Sequence, residues 1–186
     1  MLGNLISDFV KGKKKFDYPD DIQKGITLHR AIDTFTDTHE ATKEAKEFFR
    51  PAYRLYSGAF IDVVYDHFLA IDKNEFSENS LFGFSQQVYA DIDKQTQWLP
   101  EPFARMFPYM KSQNWLFNYS TRWGTAKSFG GLVHRSVYLS ESDTAFLLFE
   151  KHYQQLQECY RHFWVAVKPY VQKQFEELLN SGPGNI

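Results

Sequence analysis

Apolar residues recur three and four positions apart along most of the chain, which is the spacing that places them on one face of an α-helix. The longest stripe runs from Phe146 to Tyr170, and we interpret it as one long core helix, with an intermolecular coiled coil as the rarer alternative. The same spacing over residues 2–10, 19–38 and 60–70 predicts three shorter helices. No segment alternates polar and β-branched residues between hairpin turns. The pattern therefore predicts an all-α protein.

Proline and capping residues mark the expected boundaries of these helices. Pro51 follows the helical segment Glu40–Phe49 and should end or kink it, because proline lacks an amide hydrogen and clashes with the preceding turn. Ser80 is expected to be the N-terminal cap of the helix that follows Ser80 in the sequence. We expect one helical domain over residues 1–180 and a frayed polar tail over residues 181–186.

Composition narrows the class of protein further. The chain has 186 residues, of which 43% are hydrophobic, so it can bury a core of its own. The formal charge of −2 gives no global attraction to nucleic acid or to an anionic membrane, so we expect neither partner. No apolar run approaches the roughly 20 residues of a membrane span. Cys159 is the single cysteine, which excludes an intrachain disulfide and favours a cytoplasmic protein.

Two polar residues interrupt the apolar face of the second predicted helix. His29 and Asp33 lie one turn apart and continue the face that Ile22 and Ile26 define. A buried carboxylate is unfavourable unless it is paired, hydrogen-bonded or bound to a metal ion. Taken alone, this pair fits an ordinary structural hydrogen bond as well as a metal site.

A second polar group lies in the apolar segment 60–69. Asp62 and Asp66 share a helical face there, where like charges repel unless a cation lies between them, and His67 could add an imidazole ligand. Asp8 near the end of the first helix opposes the helix dipole, which suggests a tertiary role. Mixed Asp and His sets suit Mn, Fe, Zn or Mg. Salt-bridged, capping or exposed acids remain the alternative for each of these residues.

One basic cluster follows Asp8 directly. It consists of Lys11, Lys13, Lys14 and Lys15, and it is either a solvated loop or a docking surface for an acidic partner. Arg30 could contact a phosphate oxygen, or it could pair with a neighbouring aspartate. The sequence has no glycine-rich phosphate loop, paired-cysteine zinc motif or nucleophile elbow. These absences disfavour nucleotide-loop and serine-hydrolase chemistry.

Three blocks of sequence together resemble the bacterial acyl carrier protein phosphodiesterase family. They are Gly3–Gly12 (GNLISDFVKG), Gly25–Asp37 (GITLHRAIDTFTD) and Asp62–Leu69 (DVVYDHFL), in that order. The likeness runs over nearly the whole chain and is strongest in the first 70 residues. It implies a distant, all-helical relative of the HD-type phosphohydrolases, with an HD-like helical bundle. It also implies an enzyme that removes the 4′-phosphopantetheine arm from holo acyl carrier protein, with Mn²⁺, or else Mg²⁺ or Fe²⁺, as its metal.

The resemblance also implies roles for individual residues. We predict that Asp8, His29, Asp33, Asp66 and His67 hold the metal, and that Asp62, Asp66 and Arg30 act in catalysis. Family members usually carry an Ala-His-Leu stretch before the Gly-Asn-Leu block, where this sequence has only Met1 and Leu2. We therefore expect either an upstream segment or a smaller metal site. A phosphohydrolase of nucleotides or small phosphoesters and a non-catalytic module that binds an acidic partner remain alternatives.

Overall fold

The protein is described by a computed structural model over residues 1–180, which consists of helices joined by short turns. Within this range the α-helices are α1 (Leu2–Ile6), α2 (Asp20–Thr38), α3 (Glu40–Tyr53), α4 (Ser57–Ile71), α5 (Glu78–Asp93), α6 (Glu101–Ser112), α7 (Trp115–Asn118), α8 (Arg122–Arg135), α9 (Asp143–Lys151) and α10 (Tyr153–Asn180). Short 3₁₀ turns cover Ser7–Phe9, Gly12–Asp17, Arg54–Tyr56 and Thr96–Trp98. The all-α prediction is confirmed. The predicted tail at residues 181–186 lies outside the described range, and the single-domain boundary stays a prediction.

The long apolar stripe near the end of the chain belongs to two helices, so the prediction of one helix is wrong. The backbone at His152 leaves the helical region, with φ −109° and ψ 21°, and separates α9 from α10. Both helices pack on the same core through Phe149, Leu156 and Phe163, which explains why the apolar spacing continues across the break. Spacing alone cannot reveal a break that preserves the buried face.

Two other predicted boundaries also shift. Pro51 lies inside the last turn of α3, and the helix ends two residues later, at Tyr53, because Arg54 adopts φ 48°. Ser77 is the cap of α5, and the Ser80 side chain reciprocates by accepting the Ser77 backbone N–H. Ser80 is therefore the third helical residue of a capping box instead of the cap itself.

Two adjoining hydrophobic clusters hold the helices together. The larger lies between α3, α4, α8, α9 and α10 and is rich in aromatic contacts: Phe49 stacks on Phe60, and Phe129 meets Phe60 edge to face. The smaller joins α1 and α2 to α5 and α6 through residues such as Ile26 and Phe103. The α2 helix therefore lies where the two clusters meet, and its exposed face borders α4 and α10. In the described part of the chain, every helix is too short or too polar to cross a bilayer.

A close crossing of α1 and α2 fixes the position of the first turns of the chain. A methyl group added at Gly3 would lie 2.0 Å from the Ile22 carbonyl oxygen, and one added at Gly25 would lie 3.0 Å from the Asn4 nitrogen. Only glycine permits backbones to approach this closely. The crossing brings Asn4 and the turn that carries Asp8 beside the middle of α2.

Candidate functional site

A cleft of about 820 Å³ lies between α2, α4 and α10 and contains five of the seven residues predicted for metal binding and catalysis. The α2 wall contributes His29, Ile32, Asp33, Thr36 and Asp37, and the α4 wall contributes Asp62, Tyr65, Asp66 and Leu69. Asn4 and Asp8 close one end. The α10 wall consists of Tyr160, Phe163, Trp164, Val167, Lys168 and Val171. Residues from both ends of the chain therefore form one concave surface.

Asp8, His29 and Asp33 form a compact cluster at one end of this cleft. The His29 Nε2 atom lies 3.3 Å from Asp8 Oδ1 and 3.2 Å from Asp33 Oδ2. The other ring nitrogen, Nδ1, lies 3.4 Å from the Asn4 side-chain oxygen. One nitrogen and two carboxylate oxygens thus face each other, and ligand atoms of the three residues lie within 4.8 Å of one another.

The charges in this cluster are strongly coupled. Burial alone would lower the pKa of His29, but hydrogen bonds to Asp33 and Asp8 outweigh it and raise the pKa to about 9. The same hydrogen bond from His29 lowers the pKa of Asp8. A proton on His29 therefore balances the two carboxylates, and a divalent cation would replace that proton.

Asp62 and Asp66 face the cleft from α4. Their carboxyl groups open onto the cleft but have protein on most other sides, and this desolvation raises the pKa of each to about 7. The charges of Asp66, Asp33 and Asp37 raise the pKa of Asp62 further. For Asp66, the Tyr119 side chain opposes the rise through a hydrogen bond. Asp62 and Asp66 therefore face the Asp8–His29–Asp33 cluster from another wall of the same cleft.

The sequence prediction missed several polar residues of the cleft, among them Asp37 and Asn4. Asp37 lies one turn beyond Asp33, and its carboxylate pairs with Lys46 Nζ at 2.7 Å. Lys46, on α3, also opposes the rise in the Asp62 pKa. The spacing of Asp37 from Asp33 was a usable signal for this residue. Asn4 gave no signal, because its role depends on the α1–α2 crossing.

His67 does not reach the cleft, so it is not retained in the candidate ligand set. Its ring is 2% exposed, with Nδ1 2.8 Å from the Tyr119 carbonyl oxygen and Nε2 2.9 Å from the Tyr153 hydroxyl. On α4 it follows Asp66 by one residue, which turns its side chain about 100° away around the helix. Both ring nitrogens are hydrogen-bonded within the large core.

Arg30 also lies outside the cleft lining, and its predicted contact with phosphate is not retained. Its guanidinium donates to the carbonyl oxygens of Val10 at 2.6 Å and Gly12 at 3.5 Å. Gly12 adopts φ 54°, a conformation that favours glycine. Arg30 thus holds the start of the basic segment in place.

The four lysines of that basic segment lie next to the Asp8 end of the cleft. Lys11, Lys13 and Lys14 are exposed, whereas Lys15 is half-buried and donates to the Thr27 hydroxyl at 3.3 Å. The segment Gly12–Asp17 forms a 3₁₀ turn instead of the predicted irregular loop. The lysines therefore present positive charge beside the carboxylate cluster.

The donor set of Asp8, His29 and Asp33 fits a hard or borderline divalent cation. An imidazole nitrogen with carboxylate oxygens suits Mn²⁺, Fe²⁺, Zn²⁺ or Mg²⁺ better than a soft metal. His29 also has its second ring nitrogen oriented by Asn4, as ligating histidines commonly do. Together the fold and the cleft define an all-helical protein with the donor set that metal-dependent phosphohydrolases use.

Comparisons with known proteins identify the family. The family model described as acyl carrier protein phosphodiesterase matches residues 1–167, and the chain belongs to that family. A relative from Yersinia pestis, named acyl carrier protein phosphodiesterase, is 34% identical over 165 residues, which cover 88% of this chain and 86% of the relative. Another of the same name, from Photorhabdus laumondii, is 30% identical over 177 residues, covering 95% and 87%. The resemblance drawn from the motifs is confirmed.

The comparison with solved structures gives a different result. No solved structure matches this chain. The likeness to HD-type phosphohydrolases therefore stays a prediction from sequence, while the all-helical class rests on the fold described above.

Proposed function

We propose that this protein hydrolyses holo acyl carrier protein to apo acyl carrier protein and free 4′-phosphopantetheine. The observation that carries the proposal is the convergence of Asp8, His29 and Asp33 with Asp62 and Asp66 on one cleft, in a chain of the acyl carrier protein phosphodiesterase family. Like charges gathered on apolar helices are unfavourable without a compensating cation. A bound cation would relieve this repulsion and would give a phosphate group a positive partner in the cleft.

Asp8, His29 and Asp33 are the residues we assign to the metal, with Mn²⁺ first and Mg²⁺ or Fe²⁺ as alternatives. Asp66 faces them and is the fourth candidate ligand. When bound, a divalent cation supplies Lewis acidity toward the phosphoryl oxygens and toward water. Asn4 orients the His29 ring through Nδ1, which fixes the direction of Nε2.

Asp62 is the group we assign to proton movement. Burial and then the charges of Asp66 and Asp33 raise its pKa to about 7 in the cation-free protein, and its carboxyl lines the cleft beside the assigned ligands, where an acid–base group is required. The Asp62 carboxylate can accept a proton from the attacking water as the new bond to phosphorus forms. The bond between phosphorus and the serine oxygen then breaks, and the proton passes to that oxygen. Water, serine and phosphopantetheine balance in this scheme.

Acyl carrier protein is the partner we propose for the basic segment. Acyl carrier proteins are acidic, and Lys11, Lys13 and Lys14 project beside the cleft end where the phosphate would lie. Opposite charge on two surfaces speeds their encounter and orients it. Such a partner also places the protein in the cytoplasm.

Mass spectrometry of holo acyl carrier protein incubated with this protein and Mn²⁺ tests the proposal. We expect the carrier to lose the mass of its phosphopantetheine arm, and Asp66→Asn to abolish that loss while circular dichroism shows unchanged helix content. Asp143→Asn, an exposed aspartate on α9, is the matched control and should retain full activity.

Two other outcomes would contradict the proposal. Hydrolysis of bis(p-nitrophenyl) phosphate without any cleavage of holo carrier would indicate a hydrolase of small phosphoesters. Purified protein that contains no metal, and whose melting temperature Mn²⁺ leaves unchanged, would indicate a binding module.

A further inference from the structure

The walls of the cleft differ sharply in chemistry. The α2 and α4 walls, together with Asp8 at one end, carry all of its carboxylates and its imidazole. On the α10 wall the side chains nearest the middle are Phe163, Trp164, Val167 and Val171, and Lys168 is its one charged residue. These positions recur at helical spacing over slightly more than two turns and form a continuous apolar strip that faces the charged groups.

The apolar strip is held rigidly at its rim. The Trp164 indole N–H donates to Glu75 Oε1 at 2.8 Å, and the ring stacks on Tyr160 with centroids 5.9 Å apart. Lys168 Nζ contacts both Glu75 oxygens, at 2.7 and 2.9 Å. Tyr160 donates to Asp72 at 3.1 Å. The segment between α4 and α5 therefore fixes the α10 wall before any ligand binds. A wall that is already fixed loses less conformational entropy when a ligand binds to it.

The size of the cleft exceeds what a phosphate group and a cation fill. Its volume of about 820 Å³ lies in the upper part of the ~300–1,000 Å³ range of small-molecule sites. With the phosphate at the Asp8–His29–Asp33 end, the remaining space lies along the α10 strip. A ligand that continues from the phosphate must therefore run between an apolar wall and a polar one.

We propose that the α10 strip around Trp164 and Val171 is the binding subsite for the pantetheine arm of the substrate. This inference rests on the proposed function. The arm is amphipathic: its gem-dimethyl and methylene groups pack against Trp164, Val167 and Val171, and its amides face the polar wall, where Thr36 lies. The strip therefore distinguishes phosphodiesters that carry such an arm from those that do not.

Two tryptophan substitutions on α10 test the subsite. Val171 is half-buried in the cleft, whereas Val165 is 77% exposed on the opposite face of the same helix. Val171→Trp fills the strip and should raise KM for holo acyl carrier protein about tenfold or more, the scale on which apolar pockets discriminate. It should change hydrolysis of bis(p-nitrophenyl) phosphate less than about twofold. Val165→Trp should leave both unchanged.

A binding measurement separates this inference from the proposed function. Saturation-transfer NMR with pantetheine, which lacks the phosphate, should give signals with the wild-type protein and with Val165→Trp, and none with Val171→Trp. Trp164→Leu is a second variant should Val171→Trp fail to fold, and it too should lose these signals.

The outcomes are distinct. If wild-type protein cleaves holo carrier and Val171→Trp has an unchanged KM, the subsite is overturned while the function stands. If wild-type protein fails to cleave holo carrier, the proposed function is overturned. Pantetheine signals that respond to Val171→Trp would then still support the subsite.

Discussion

His67 and His29 have different roles in this protein, although both lie beside an aspartate on a helix and both were predicted as metal ligands. His67 has Nδ1 beside the Tyr119 carbonyl oxygen, which can only accept, so Nδ1 carries the hydrogen and Nε2 accepts from the Tyr153 hydroxyl. Burial lowers the pKa of His67, which favours this neutral form of the ring. Its partners lie 52 and 86 residues away in the chain, and no local pattern could indicate them. His29, by contrast, interacts with Asp33 one turn away, which the spacing did indicate.

Replacing His67 and His29 separately should separate stability from metal binding. His67→Phe keeps a ring in the aromatic core but leaves two buried polar groups unpaired, so we expect the free energy of unfolding to fall by about 1–3 kcal/mol. Its Mn²⁺ content should equal that of the wild type. His29→Ala should lose Mn²⁺ and still fold, although Asp8 and Asp33 then lack the imidazole that balances their charge. Urea denaturation and elemental analysis measure the two effects, and loss of Mn²⁺ from a folded His67→Phe would return His67 to the ligand set.

The same substitution predicts a dependence on pH. Burial lowers the pKa of His67 below its ordinary value of 6.5, so the unfolded chain binds the proton more readily than the folded one. The stability that the neutral ring contributes is therefore present above pH 6.5 and is lost as pH falls toward the folded pKa. The difference in unfolding free energy between wild type and His67→Phe should narrow as the buffer is acidified from pH 7 to pH 5.

At the level of helices, the sequence predicted well which segments are helical, and it predicted less well where each helix begins and ends. Helix α2 begins and ends within a residue of its prediction, because Pro19 and the acidic pair after it mark its first turn. The break at His152 was invisible, since α9 and α10 bury the same face. The crossing of α1 and α2 also left no periodic signal. A glycine reveals a close approach only when its partner is known.

The α1–α2 crossing should tolerate no added methyl group. Gly3→Ala would place Cβ against the Ile22 carbonyl, so we expect a loss of more than about 2 kcal/mol of stability together with weaker metal binding, because Asp8 moves with α1. Gly83→Ala is the matched control: it lies inside α5 with no atom within 4 Å of the added methyl group. That change should raise stability by about 0.5–1 kcal/mol. Thermal unfolding of both variants compares them, and equal melting temperatures would contradict the steric argument.

On the scale of the whole molecule, the candidate site was predicted in part. Five residues stood out in the sequence because they are polar and lie among apolar helical positions, and the structure brings them to one cleft. They are Asp8, His29, Asp33, Asp62 and Asp66. The α10 wall was not predicted, because an apolar strip that lines a cleft has the same spacing as one that fills a core. Distinguishing them requires the packing of helices that are distant in sequence.

Charge on the molecular surface should govern the encounter with the carrier protein. Reversal of two exposed lysines, Lys13→Glu with Lys14→Glu, should raise KM for holo acyl carrier protein and leave bis(p-nitrophenyl) phosphate hydrolysis unchanged. Added salt should raise KM for the wild type and have little effect on the variant. Lys173→Glu, at an exposed lysine of α10 that does not line the cleft, is the control. A salt response that the double variant shares fully with the wild type would place docking elsewhere.

The division of the cleft between early and late parts of the chain affects how the protein is made. Its carboxylates and its imidazole lie between residues 8 and 66, and its third wall begins at residue 160. Because helices emerge from the ribosome in sequence order, a nascent chain displays the acids long before their cover exists. The unfinished protein therefore has no enclosed chamber for the arm, and substrate recognition begins only when the last helix docks.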